Sequence, residues 1–187
     1  MHVSTDARAL PVLRYTRPAV AFHWAIAVLV LALFALGIYM ADLPVSPQKL
    51  KLYSYHKWTG VTVFALVALR LLWRWRHTPP PLPASQPAWQ QRGAHLVHFA
   101  LYLLLVTAPV TGWLMSSAYG FTTVWFGVLP LPDLLDKNEA LGDVLKLTHR
   151  YLNYSFIALV LLHIAAALKH QWLDRDGTLA RMSFGRG

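Results

Sequence analysis

Four histidines lie within or at the ends of apolar stretches of the sequence: His23, His56, His149 and His163. Neutral imidazole is a common ligand of transition metals, and an ionisable side chain in a membrane segment indicates a functional site by default. His149 and His163 share the last apolar stretch and are fourteen residues apart, which is about 40° short of four helical turns. Both side chains are therefore predicted on nearly one face of a helix, roughly 21 Å apart along its axis.

The chain around these histidines has the composition of a membrane protein. Of its 187 residues, 56% are hydrophobic, and the mean hydropathy is +0.41, which is too apolar for an ordinary soluble domain. The net charge of +9 would suggest nucleic acid in a soluble protein. Here Lys and Arg lie at the ends of apolar stretches, where they anchor a topology, so we expect no nucleic-acid partner. The absence of cysteine excludes disulfides and thiolate ligands.

The apolar stretches predict an all-α membrane protein, a four-transmembrane-helix bundle that forms a single domain over 1–187. Helices are expected at about 19–40, 51–75, 92–115 and 144–172, between an N-terminal tail at 1–17 and a C-terminal tail at 173–187. Each helix is long enough to cross about 30 Å of hydrocarbon. No removable signal peptide is apparent. Residues 116–143 are predicted to form the longest loop, with its aromatic side chains at the membrane interface.

The distribution of basic residues predicts the orientation. Four spans place both termini on one side, and that side carries 11 of the 17 Lys and Arg residues. The positive-inside rule therefore predicts that both termini are cytoplasmic.

This orientation gives each histidine a depth. His56 and His149 are predicted near the outer face, and His23 and His163 near the cytoplasmic face. Two bis-histidine sites stacked across one membrane are the arrangement of a transmembrane di-haem cytochrome. A zinc site would need its ligands at one depth, usually with a carboxylate or thiolate. A proton-coupled transporter normally places an acid inside the membrane, and these spans have none near their centres.

Three glycines are predicted on the same faces as the histidines: Gly37, Gly60 and Gly112. A glycine leaves space for a flat ring to approach the helix. Close packing of membrane helices also uses glycine, and the sequence leaves both interpretations open.

Four further polar residues are expected at cytoplasmic depth: Arg70, His95, His98 and His170. They are candidates to bind a haem propionate or a quinone head group. Arg70 follows His56 by fourteen residues and so shares its face, although a snorkelling membrane anchor is an equal interpretation. His98 is an alternative to His23 as the inner ligand.

Several short motifs carry a resemblance to a known family: FHW at 22–24, HKWTG at 56–60, AHLVH at 94–98, PVTG at 109–112, His149, and LH at 162–163. In this order they resemble the bacterial cytochrome b561 family over essentially the whole chain. The resemblance implies a multi-pass protein of the bacterial inner membrane with two haem b groups, iron ligands in agreement with the two histidine pairs, and a quinone as electron acceptor.

The resemblance implies two possible activities. One branch of the family stands alone and passes electrons from periplasmic superoxide to ubiquinone; another supplies relay subunits that carry electrons between a dehydrogenase or hydrogenase partner and quinone. The short chain favours the superoxide:quinone oxidoreductase. Lys57, Lys146 and Arg150 are predicted to crowd the outer mouth, where cations would guide superoxide inward. Interfacial anchoring and contact with haem propionates are alternative roles for them.

Overall fold

Four long α-helices dominate the computed structural model, which describes residues 14–83 and 86–184. They are α1 (Arg17–Ala41), α2 (Pro47–Arg76), α3 (Ala88–Ala118) and α4 (Glu139–Lys169). The predicted helical class is therefore confirmed. Most of the predicted N-terminal tail, up to residue 13, lies outside the described residues, as does the end of the chain from residue 185.

Side-chain caps explain where two of the helices begin. The Ser46 hydroxyl accepts a hydrogen bond from the Lys49 amide at 3.2 Å, and the Asn138 side chain accepts one from the Leu141 amide at 3.0 Å. Such caps satisfy amides that have no partner in the first turn. Because Asn138 caps α4, this helix starts at Glu139, and the loop after α3 is shorter than the predicted 116–143.

Three of the helices are long and apolar enough to cross a membrane, among the residues that the structure describes: α1, α3, and α4 with the turn that follows it. Helix α2 is less apolar because it has lysines in its first part and Arg70, Arg74 and Arg76 in its last turns. On the other helices large apolar side chains point outward; Leu31, Leu103 and Leu161 are at least half exposed. Outward apolar side chains are what a lipid environment requires.

The core lies midway along the bundle and joins all four helices. Its buried side chains are Ile26, Val30, Val63, Val67, Leu104, Leu105, Ala108 and Phe156. Along every helix these residues fall between the level of the outer histidines and that of the inner ones. The core is therefore an apolar layer between the two predicted sites.

A β-hairpin covers one end of the bundle. Strand β1 (Val124–Trp125) pairs antiparallel with β2 (Leu129–Pro130), and its turn includes Gly127 at φ 72°, a conformation that glycine adopts without strain. The Trp58 indole donates to the Val124 carbonyl at 2.6 Å, and the Trp125 indole donates to the Thr62 hydroxyl at 3.2 Å. These bonds fix the hairpin against α2.

The opposite end is closed by the segment after α4. A π-helical turn (His170–Asp174) and a 3₁₀ turn (Leu179–Met182) lead this segment back to the bundle. The Trp24 indole donates to the Met182 carbonyl at 2.8 Å, and the Arg181 guanidinium donates to the Pro81 carbonyl at 2.7 Å. The C-terminal segment is thereby fixed to α1 and to the connection between α2 and α3.

Candidate metal centres

The outer pair, His56 of α2 and His149 of α4, has its ring centroids 6.5 Å apart at an interplanar angle of 84°. An imidazole nitrogen binds a transition metal at about 2 Å and its ring centroid lies about 1 Å further back, so two imidazoles that share one metal ion can have centroids about 6 Å apart. The separation of the two rings therefore fits one metal ion between them.

Both of these rings line a recess that is partly open to the surroundings. All four helices line it, mostly with apolar side chains: Val30, Leu33, Phe34, Gly60, Val63, Leu105, Ala108, Pro109, Asn153 and Phe156. Gly60 has no atom within 4 Å of the position that a Cβ would take. An apolar recess lined by two imidazoles suits a haem group, whose iron His56 and His149 would hold.

His149 is oriented by α3. Its Nδ1 donates to the Ala108 carbonyl at 3.0 Å, and the Thr111 hydroxyl lies 3.2 Å from the same nitrogen. Because a carbonyl only accepts, the proton is on Nδ1, and Nε2 keeps its lone pair for a metal. A Cβ on Gly112 would lie 3.1 Å from Cε1 of this ring, so glycine is what allows the imidazole to reach the α3 backbone.

The His56 ring lies similarly close to the backbone of α1. A Cβ on Gly37 would lie 3.4 Å from its Cε1. Its Nδ1 is buried without a hydrogen-bond partner among the described residues, a state that is unfavourable for a polar nitrogen. Gly37 and Gly112 thus make room for the imidazoles themselves, whereas the sequence had suggested room for the macrocycle or for helix packing. Gly60 alone opens into the recess.

The inner pair has comparable spacing but a third histidine beside it. The ring centroids of His23 (α1) and His163 (α4) are 6.2 Å apart at 75°, and those of His98 (α3) and His163 are 5.5 Å apart at 67°. Both arrangements bring a second imidazole to His163. The ring distances therefore do not decide whether His23 or His98 is the second inner ligand beside His163.

Arg70 reaches this inner group from α2. Its Nη1 lies 3.1 Å from Nδ1 of His23, and its Nε donates to the Tyr102 hydroxyl at 2.9 Å. Arg70 is thus drawn into the bundle, which differs from an anchor that snorkels to the interface.

Two other histidines predicted at this end differ from the pair in their surroundings. His95 is exposed. Nδ1 of His170 lies 3.0 Å from a carboxylate oxygen of Asp174 and 2.8 Å from one of Asp176. Lys169 also contacts Asp174, at 2.5 Å. His170 therefore belongs to an ion network of the C-terminal segment.

The three cations predicted at the outer mouth are in different environments. Lys57 is half-buried, and its Nζ donates to the Ser116 hydroxyl at 3.1 Å. Lys146 and Arg150 are exposed on α4 on either side of His149 in sequence. Lys57 thus connects α2 to α3, and only the other two are open to solvent.

An aromatic pair separates the two candidate centres. The rings of Phe34 and Phe156 meet edge to face with centroids 5.2 Å apart, and Phe156 is only 5% exposed. Phe156 lies seven residues from both His149 and His163, a spacing that returns to the same helical face. That spacing could have predicted the position of Phe156 from the sequence. The four-residue step from His98 to Tyr102 could likewise have placed Tyr102 beside the inner pair.

An apolar helical bundle with two imidazole pairs at its two levels defines a class of membrane-bound, haem-binding electron-transfer proteins. Residues 14–185 match the family described as Prokaryotic cytochrome b561. The chain belongs to this family, which binds haem b and transfers electrons in bacterial membranes. The family predicted from the sequence motifs is therefore confirmed.

Individual relatives cover most of the chain. It is 36% identical to Cytochrome b561 homolog 2 of Escherichia coli (strain K12) over 171 residues, which are 90% of each chain. It is 27% identical over 169 residues to a protein of Yersinia pestis named Probable superoxide oxidase CybB, covering 90% of this chain and 95% of that one. A second Escherichia coli relative, Cytochrome b561 homolog 1, is 25% identical over 170 residues.

Proposed function

We propose that this protein is a single-domain di-haem cytochrome that spans the bacterial inner membrane four times, with both termini in the cytoplasm. His56 and His149 would hold the outer haem iron, and His23 and His163 the inner one. The observation that carries the proposal is the spacing of the two pairs, with centroids 6.5 and 6.2 Å apart at opposite sides of one apolar layer.

The haem groups, when bound, would supply reversible one-electron chemistry. The chain's own part is to orient the rings and to keep the site dry. The carbonyl of Ala108 holds His149 in the tautomer that leaves Nε2 free for iron. The Phe34–Phe156 layer excludes water between the two sites, and burial tunes haem potentials.

We further propose that the electron donor is periplasmic superoxide and the acceptor is ubiquinone. Two superoxide ions would each lose one electron and become oxygen, and ubiquinone would take up both electrons and two protons. The name of the Yersinia pestis relative supports this donor. So do the exposed Lys146 and Arg150 beside His149, which attract a small anion.

A visible spectrum of the oxidised, detergent-purified protein tests the donor. We expect the bands of reduced b-type haem to appear when superoxide is added, and to fade when ubiquinone follows. Reduction by a strong chemical reductant but never by superoxide would reject this donor and favour a relay subunit with a protein partner. A colourless protein would reject the cytochrome altogether.

Ligand substitutions test the haem assignment. His149→Ala and His163→Ala are each expected to remove one haem and to leave the other, because each histidine serves a different pair. The measurement is the haem-to-protein ratio. Full haem content in either variant would contradict the pairing. His98→Ala and His23→Ala, compared in the same way, decide which of them completes the inner site.

A further inference from the structure

Two arginines of α2 lie over the same tyrosine ring beside the inner pair. The guanidinium carbon of Arg70 is 5.6 Å from the centroid of Tyr102, and that of Arg74 is 5.8 Å away. The two arginines are four residues apart and so project from one face of α2. Two guanidinium groups therefore lie against Tyr102 beside the inner pair.

These two positive charges have no acidic partner among the residues that the structure describes. Arg70 contacts the ring nitrogen of His23 and the hydroxyl of Tyr102, and Arg74 contacts the face of Tyr102. Arg70 is half-buried within the bundle. A partly buried charge surrounded by neutral groups is unfavourable unless an ion of opposite sign joins it. The arrangement calls for an anionic ligand.

We infer that Arg70 and Arg74 are a carboxylate-binding pair that holds the two propionates of the inner haem. Arginine binds carboxylates through parallel N–H groups, and two propionates match two guanidiniums in charge and number. A quinone head group is neutral and would leave both charges uncompensated. The inference rests on the proposed function, and it chooses between the two ligands that the sequence had left open for Arg70.

The contact between Arg70 and His23 would have to break if His23 bound iron. A guanidinium only donates hydrogen bonds, so in this contact Nδ1 of His23 is the acceptor. A histidine that binds iron through Nε2 ordinarily carries its proton on Nδ1, and two donors do not bond to each other. Ligation by His23 would therefore release Nη1 of Arg70 for a carboxylate.

Haem release from the full-length holoprotein to a haem-scavenging apoprotein tests the pair. We expect Arg70→Gln to accelerate the loss of one haem at least tenfold, and Arg74→Gln to accelerate it less because Arg74 is more exposed. Arg70→Lys should be intermediate, since lysine keeps the charge without the fork. Arg76→Gln is the matched control on the same helix end and should release haem at the wild-type rate. The fast phase of Arg70→Gln should be missing when His163→Ala is added, because the double variant would hold only the outer haem.

Haem with esterified propionates, exchanged into the wild-type holoprotein, gives an independent arm that needs no substitution. The ester should leave the inner site as fast as haem leaves Arg70→Gln, and Arg70→Gln should not accelerate its loss further. Wild-type release rates in both Gln variants would overturn the inference, as would equal acceleration by Arg76→Gln. Unchanged haem release together with lost ubiquinone-dependent reoxidation would assign the arginines to the quinone. A wild-type protein without two haems would instead reject the proposed function itself.

Discussion

The outer and inner histidine pairs have similar spacing, but the chain holds them in different ways. At the outer pair each imidazole lies against a glycine of a neighbouring helix, His56 against Gly37 and His149 against Gly112. His149 also bonds to the backbone of α3. The outer pair is therefore positioned by close backbone approach.

At the inner pair charged and polar side chains replace the backbone contacts. Arg70 bonds to His23 and to Tyr102, and His98 stands beside His163. Side chains of this kind can rearrange when a ligand binds, whereas a helix backbone at van der Waals contact cannot. The comparison indicates that backbone contacts fix the outer pair, whereas side chains that can rearrange hold the inner pair.

Removing the layer between the two pairs should have the largest effect, because both sites share it. Phe156→Ala deletes a ring that is 5% exposed and packs on Phe34. We expect a loss of about 3–5 kcal/mol in the free energy of unfolding, measured by denaturant titration in detergent, and a shift in the reduction potentials of both haems. Phe99→Ala, at a side chain 67% exposed, is the control. Equal losses of unfolding free energy in the two variants would contradict a packed layer between the two pairs.

An alanine series at the glycines tests how the outer pair is seated. A Cβ at Gly112 meets His149 at 3.1 Å, one at Gly37 meets His56 at 3.4 Å, and one at Gly60 meets nothing within 4 Å. We expect Gly112→Ala to cost about 1–3 kcal/mol through overpacking, with a smaller cost at Gly37. Melting temperature and outer-haem content measure the series.

Gly60→Ala separates two roles within that series. Without a steric clash, alanine should stabilise the helix by about 0.5–1 kcal/mol. Loss of the outer haem from this stable variant would show that Gly60 faces the macrocycle. If Gly60→Ala lowered the stability more than Gly37→Ala and Gly112→Ala did, the close contact of the imidazoles with Gly37 and Gly112 would be refuted.

The ion network after α4 lies at the inner end but outside the inner pair, so breaking it should leave both haems in place. Burial raises the pKa of Asp176, but hydrogen bonds from Thr178 and Gln86 and the nearby His170 outweigh it and lower the pKa to about 2. The unfolded value is about 3.9, so this carboxylate stabilises the fold above about pH 4, and the contribution disappears as the pH falls through 2.

Asp176→Asn tests this contribution. We expect the variant to lose about 1–2 kcal/mol at neutral pH and to show a flatter fall in stability between pH 5 and pH 2. Thermal unfolding followed across that range is the measurement. A variant with unchanged acid sensitivity would contradict the assigned role, and loss of a haem would connect His170 to the inner site after all.

The sequence predicted the features that follow from helical periodicity and charge. The family followed from the ordered short motifs, the helical class from composition and hydropathy, and the pairing of the histidines by depth from their spacing and from the distribution of charge. Three details depended on tertiary contacts that periodicity does not contain. Gly112 serves a ring of another helix, Lys57 is held by Ser116, and His170 turns toward carboxylates that follow it. The start of α4 could have been predicted from Asn138, a residue type that caps helices, but the acidic residues after it suggested a loop.

Neutralising exposed charge should have the smallest effect, and it should differ between the two ends. Lys146→Gln with Arg150→Gln removes two solvent-open cations beside the outer pair, while Arg76→Gln removes one from the opposite end. If superoxide enters at the outer mouth, the first change should slow haem reduction about 2–5-fold at low ionic strength, because steering by surface charge is a rate effect. The difference should vanish near 1 M salt, where the screening length is about 3 Å. Rapid-mixing spectra at both salt concentrations measure the rates.

A slowing that persists in high salt would mean that these residues support the fold or the haem. An equal slowing by Arg76→Gln would place the entrance elsewhere. Because Lys57 is bonded to Ser116, its replacement should disturb packing at every salt concentration, which distinguishes it from the two guiding cations.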